Sequence, residues 1–422
     1  MRYEKYYDVD LPWIKEVPEH WRISKINANF EERREKVSDK DYEPLSVTKN
    51  GVFKQLDNVA KTDDGDNRKK VVINDFVING RSDRKGSSGL SEFEGSVSLI
   101  NIVLKINKNH PKYMHYLLKS VPFQEEFYRN GKGIVADLWS TNFQSMKSIT
   151  LPIPSFKEQV QIANFLEWKI NEIDRLILIE KEKIKQLNQT MQMYIDSRYK
   201  ILNLDDKSCD GTKIKYLANQ ITRRDNECRR YIALENVISQ KGVMNISFDE
   251  LEFNNDGISA EKNMVIFGKL RPYLAKSIIV EDKAICSSEF LVLDPIKVTP
   301  EYLKYLMLSS KFIDLVNSST YGTKMPRANS EFILNLKVIV PDLAEQRNVV
   351  EIILESEDRI NKAIETILSK IKSMEDLKQT LISEVVTGRI DIRNIDIPEY
   401  EKVESVFEED EDQVEGGEDE WD

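Results

Sequence analysis

Histidine and cysteine are scarce in this chain of 422 residues, three of each, and that scarcity excludes whole classes of chemistry. Cys209, Cys228 and Cys286 are widely spaced, with no CxxC pair and no histidine nearby, so they read as reduced thiols rather than disulfides or metal ligands. His20, His110 and His115 are the only histidines, and the latter two flank a helix start, which leaves no metal cluster or histidine base in view. No GxxxxGKS or GxxxxGKT phosphate loop occurs, although Gly131-Lys132-Gly133 carries part of one. GxGxxG after a strand, the Asn-Pro-Pro-Tyr run of an amino-methyltransferase, and HExxH are absent too. Glu180-Lys181-Glu182-Lys183 has the residue types of a nuclease site, but as an ion-pair pattern on a helix. The first residues hold no apolar signal stretch and no run approaches the length of a membrane span, so a soluble, cytoplasmic protein without membrane contact is expected.

Net charge is −11, yet it is unevenly spread. From Asp396 to Asp422 there are 14 acidic residues and one lysine, whereas the preceding body carries 60 basic and 58 acidic residues. The segment 396–422 is expected to be a disordered acidic tail that keeps the protein soluble. A sharper alternative is that it mimics phosphate and competes for basic sites.

What the chain does have is a repeat. Pro154-Ser-Phe-Lys-Glu-Gln159 and Pro341-Asp-Leu-Ala-Glu-Gln346 each open a long apolar-periodic segment, and the two align without a gap at an offset of 187 residues. Steps of four and three give the ladder Leu166, Ile170, Ile173, Ile177, Glu180, Ile184, Leu187, Met191, Tyr194. The second ladder is Ile353, Glu357, Ile360, Ile364, Ile367, Ile371, Met374, Lys378, Leu381. Such spacing is the heptad signature of a coiled-coil seam. Helix pairing is therefore expected through Leu166, Ile170, Ile173, Ile177, Ile184, Leu187, Ile360, Ile364, Ile367, Ile371, Met374 and Leu381. No proline interrupts either segment, so helices over about 158–199 and 345–386 would each be roughly 60 Å long. Packing the two against each other about a two-fold axis makes them antiparallel, with one globular domain at each end.

The expected organisation is a first domain at 1–153, a central helix at 154–202, a linker and second domain at 203–340, and a C-terminal helix at 341–395. Strands are expected at Lys70 to Ile73, Val97 to Ile106, Met264 to Phe267 and Phe290 to Leu293, and each domain has a proline-initiated helix, at Pro111 and at Pro300. The fold class is α+β: two homologous mixed α/β domains separated by two long antiparallel coiled-coil helices in a pseudo-two-fold repeat.

The domains differ in their basic, glycine-containing loops. The first has Arg81, Ser82, Arg84, Lys85 and Ser87 between Gly80 and Gly89, then Lys132, Trp139 and Asn142. The second has Lys269, Arg271, Tyr273 and Lys276, then Tyr321, Thr323, Lys324 and Arg327. Cations mixed with hydroxyls, amides and aromatics suit phosphates and base edges, so these residues are the candidate DNA contacts. The plainer reading of any one loop is a solvated turn.

The chain resembles the specificity subunits of type I restriction-modification systems over nearly its whole length. The resemblance rests on Leu11-Pro-Trp13, His20-Trp21, Leu151-Pro-Ile-Pro154 with Glu158-Gln159, Phe267-Gly-Lys-Leu-Arg-Pro-Tyr273, Pro341 with Glu345-Gln346, and Leu381-Ile-Ser-Glu-Val-Val-Thr-Gly-Arg389. It implies a non-catalytic subunit whose two target-recognition domains each read half of a bipartite double-stranded DNA target. The helices would act as a ruler and dock two methyltransferase subunits, and restriction/translocase subunits would join. S-adenosylmethionine, ATP and Mg would be used by those partners, with no cofactor bound here. The alternative from another class is a coiled-coil scaffold with end domains that bind ligands other than DNA. A nuclease or methyltransferase in its own right would require a catalytic centre that the sequence lacks.

Overall fold

A computed structural model describes residues 2–55, 65–132, 139–201, 211–225, 228–252, 256–320, 322 and 325–403. It divides into two compact units, Met1–Ile179 with Ser369–Asp422, and Glu180–Leu368.

The first unit is built on an antiparallel four-stranded sheet in the order Ser88–Leu90, Phe76–Asn79, Asn101–Ile106, Phe30–Glu32. All of Phe76–Asn79 is buried, as a central strand requires. Pro111 starts the helix Pro111–Lys119, where its fixed φ and missing N–H cost nothing. Tyr113, Met114, Leu117 and Leu118 on that helix are buried in the same core as Phe76, Ile78 and Leu104.

The second unit repeats this plan with Ser277–Ile279, Val265–Gly268, Phe290–Pro295 and Ala218–Ile221 in the same sheet order and the helix Pro300–Leu308 beside them. A further sheet joins Arg224–Asp225, Gly257–Ala260, Ala284–Cys286 and Tyr231–Ile232, the last pairing parallel.

Two expected strands need correction. The first lies at Arg68–Val71 and stops early because Asn74 turns the chain with φ +70°. Val97 to Ile106 is two strands, Gly95–Val97 and Asn101–Ile106, in different sheets, with Leu99 and Ile100 exposed between them.

The long helices run Phe156–Arg198 and Leu343–Val386. Asp342 caps the second, its carboxylate accepting from Glu345 N at 2.9 Å. Along the ladders Leu166, Ile173, Ile177 and Ile371 are buried, and Ile170, Ile184, Leu187, Ile360, Ile364, Ile367, Met374 and Leu381 are half-buried. Leu176 and Leu368, off the ladder, are exposed. Near the ends, off-ladder Ile195 and Ile382 are buried in the cores of the domains they adjoin, and Val385 continues the second ladder into the first domain's core.

Within the first unit the helix segments are antiparallel. Gln161 donates to the carbonyls of Ile392 and Ile395, just past the C-terminal helix, while Asp174 farther along meets Lys378 Nζ at 2.7 Å. Within the second unit, Ile195 and Tyr199 at the end of one helix share a core with Val349, Val350 and Ile353 at the start of the other. The polar ladder positions are all engaged: Glu180 with Lys183, Glu357 as acceptor from Tyr305 Oη at 2.6 Å, and Lys378 with Asp174.

Each helix is fastened to its own domain by a glutamine. Gln159 Oε1 accepts from His110 N at 2.8 Å and its Nε2 donates to Pro154 O at 3.0 Å. Gln346 repeats both contacts, with Thr299 N at 2.9 Å and Pro341 O at 2.9 Å. Beside Gln159, buried Glu158 accepts from Tyr3 Oη at 2.7 Å and Trp21 Nε1 at 3.0 Å and pairs with His20 at 3.0 Å. These contacts give His20-Trp21 a structural role.

The expected tail divides at Val403. Residues 396–403 lie on the central helix, with Lys402 paired to Glu167 at 2.8 Å and Val403 N donating to Asn171 Oδ1 at 2.8 Å. Residues 404–422, and Cys209 in the linker, lie outside the described residues.

Candidate nucleic-acid interface

In the first unit the two candidate loops become one surface. The strand Phe76–Asn79 ends at Gly80, where a Cβ would come within 2.4 Å of Thr141 O. Glycine is required there for the backbones to meet, and Thr141 N donates to Gly80 O at 2.8 Å. Ser82 N donates to Trp139 O at 3.0 Å, and Lys132 and Ser140 exchange two backbone hydrogen bonds of 3.1 Å. Arg81, Ser82, Lys132 and Trp139 therefore share a platform.

Their side chains are not equally available. Arg81 pairs with Asp83 at 3.0 Å and Lys85 with Glu125 at 2.5 Å, while Arg84 stands 4.0 Å from Asp83. Ser87 is buried. Asn142 caps the short helix Phe143–Met146, its Oδ1 accepting from Ser145 N at 2.9 Å. Trp139 is exposed, as is Lys132, whose ammonium has no partner among the described residues.

The second unit is built the same way. Val265–Gly268 leads to Lys269, whose carbonyl accepts from Ala328 N at 2.9 Å, and Arg271 N donates to Pro326 O at 2.7 Å. Arg271 and Ala275 bracket the turn Pro272–Leu274 in the left-handed region, φ +49° and +46°. Non-glycine residues held there store strain, which concentrates at functional sites. Arg271 projects an exposed guanidinium with no partner among the described residues, next to exposed Tyr273.

The other cations of this loop pair are occupied. Lys269 Nζ donates to Ser288 O at 2.8 Å and Lys276 Nζ to Leu234 O at 2.7 Å. Burial lowers the pKa of both amines, helped at Lys269 by the charge of Arg327. Arg327 pairs with Glu289 at 2.9 Å, and the other oxygen of Glu289 is buried without a partner among the described residues. Tyr321, Thr323 and Lys324 lie outside the described residues.

Sequence reasoning missed the acidic partners. Glu125 and Glu289 are distant in sequence from the cations they hold, and no local pattern marks them. His115 is half-buried, its Nδ1 accepting from Leu90 N at 3.2 Å, and burial drives its pKa down to about 3. It is a neutral structural residue.

Comparison with known proteins adds to this picture. The family described as type I restriction modification DNA specificity domain matches residues 20–189 and 197–373. The chain is 25% identical over 143 residues to the type I restriction enzyme EcoDI specificity subunit of Escherichia coli, covering 32% of this chain and 31% of that relative. It is 21% identical over 365 residues to the MjaVIII specificity subunit of Methanocaldococcus jannaschii, covering 78% of this chain and 82% of the relative. A solved chain, from a structure addressing complex assembly and conformational transition of the type I R-M system, shares the fold with a TM-score of 0.58 at 11% identity, covering 89% of this chain and 99% of that one.

Proposed function

The chain belongs to the type I restriction modification DNA specificity domain family, and from that premise we propose that it reads a bipartite duplex target, each domain reading one half. Specificity subunits of these systems are non-catalytic DNA-recognition subunits. The observation that carries the reading is the repeated architecture: in both units a glycine-ended central strand, a short turn and a second loop are hydrogen-bonded into one platform bearing an uncommitted cation and an exposed aromatic. Arg271 reads the second half-site or grips its phosphates, with Tyr273 beside it. Lys132 and Trp139 serve the first. Arg81, Lys85, Lys269, Lys276 and Arg327 shape the platforms through their intramolecular partners and contribute positive potential.

The long helices set the distance between the half-sites and dock two methyltransferase subunits. Restriction and translocase subunits complete the assembly, and S-adenosylmethionine, ATP and Mg act in those partners. Because the body is near neutral, few counterions are released, and the isolated chain binds duplex DNA only modestly. The test is Arg271→Ala in the assembled complex. Loss of methylation confined to targets discriminated by the second half-site supports the reading, and unchanged half-site preference removes Arg271 from it.

A further inference from the structure

The first domain's loop has a neighbour that its sequence does not advertise. The hairpin Leu45–Thr48 with Gly51–Lys54 turns at Lys49 and Asn50, and it packs on the strand Ser88–Leu90 that ends the loop. A Cβ at Gly89 would lie 2.9 Å from Gly51 Cα, so the two backbones approach as only facing glycines allow. Lys119, the last residue of the helix Pro111–Lys119, reaches into this junction. Its Nζ donates to Lys49 O at 2.6 Å, Gly86 O at 3.2 Å and Ser88 O at 3.2 Å. An ammonium has three protons to donate, and all three tie the hairpin tip to the recognition loop. Burial brings the amine's pKa down to about 8, as expected for a cation enclosed by backbone rather than paired with a carboxylate.

Asn50 N donates to Thr48 Oγ1 at 3.1 Å, which sets the turn. What distinguishes this tip is the ammonium of Lys119 that fixes it with three hydrogen bonds, together with the state of its side chains. Lys49 and Asn50 are both exposed, and neither side chain has a partner among the described residues. The loop cations Arg81 and Lys85 beside them are taken up by Asp83 and Glu125. A free lysine and a free carboxamide on a rigid two-residue tip suit a phosphate and an adenine edge, and a two-stranded ribbon fits the major groove.

We propose that the hairpin tip Lys49–Asn50 is a further DNA contact of the first domain, with Lys119 as its positioning residue. The proposal rests on the bipartite reading above. It is tested by selecting bound duplexes from a randomised library with the full-length chain assembled with its modification subunits. Wild type enriches two specified blocks. Asn50→Ala relaxes one position of the first block, on the order of tenfold. Lys49→Ala weakens binding to all sequences and lowers the salt slope by about one. The second block is unchanged in both.

Lys119→Met, with the tip residues intact, reproduces the relaxation, and Lys119→Arg restores part of it. Both tip residues are exposed, so their variants decide the question even if Lys119→Met fails to fold. Identical first blocks and salt slopes for wild type and both tip variants would overturn this proposal while leaving the bipartite reading standing. A wild-type complex that enriches no blocks would overturn both.

Discussion

Gln346 offers the sharpest stability test, because its buried side chain satisfies two backbone groups at the junction of helix and domain. Substitution by alanine orphans Thr299 N–H and Pro341 C=O, now satisfied at 2.9 Å each. A fully buried unsatisfied group costs about 1–3 kcal/mol, and these two are part-buried, so Gln346→Ala is expected to cost about 2 kcal/mol. The effect is local to the junction of the C-terminal helix with the helix Pro300–Leu308, so amide hydrogen exchange reads it most directly. A tenfold change corresponds to about 1.4 kcal/mol, and the Thr299 amide should therefore exchange roughly thirtyfold faster or more. Gln346→Glu keeps the acceptor for Thr299 but turns a carboxylate oxygen toward Pro341 O. Its penalty at neutral pH should exceed that of the alanine variant and shrink as acid protonates the new carboxyl. Thr299 protection within threefold of wild type in Gln346→Ala would refute the reasoning, because it would mean that the clamp carries no load.

Gln159→Ala should have the same effect on the His110 amide, and no smaller, since Gln159 also donates to Asn109 at 3.1 Å. Asp174 and Lys378 form a part-exposed pair, so a double-mutant cycle of Asp174→Lys with Lys378→Asp should return a coupling of only about 0.5–1 kcal/mol, with the double swap more stable than either single variant. A coupling of zero by denaturant titration would count against antiparallel pairing in the first unit. Cys286 is buried and its thiol is pushed up to about 12, so an alkylating reagent at pH 8 should leave it unmodified while half-buried Cys228 reacts, as followed by peptide mass spectrometry.

The helices were legible because four-three spacing of Ile, Leu and Met over this length admits few other structures, and Pro111 and Pro300 marked helix starts correctly. The burial of Ile195 and Ile382 was not legible, because it comes from the domain cores they join and not from the four-three seam. Val97 to Ile106 looked like one strand because nothing in Ser98-Leu99-Ile100 announces a change of sheet. Among the site residues, the loops were found by composition, but which cations are free was not. That depends on carboxylates and carbonyls brought in from far along the chain, such as Glu125, Glu289 and Ser288, and composition carries no record of them.

Whether the chain directs methylation to a split target is decided by a genome-wide map of N6-methyladenine in the native host with and without this gene. Without the gene, methylation should be lost at one split motif, two short specified blocks around an unspecified gap, with all other marks intact. An unchanged map, in a host shown to express both the chain and an active methyltransferase partner, would contradict it.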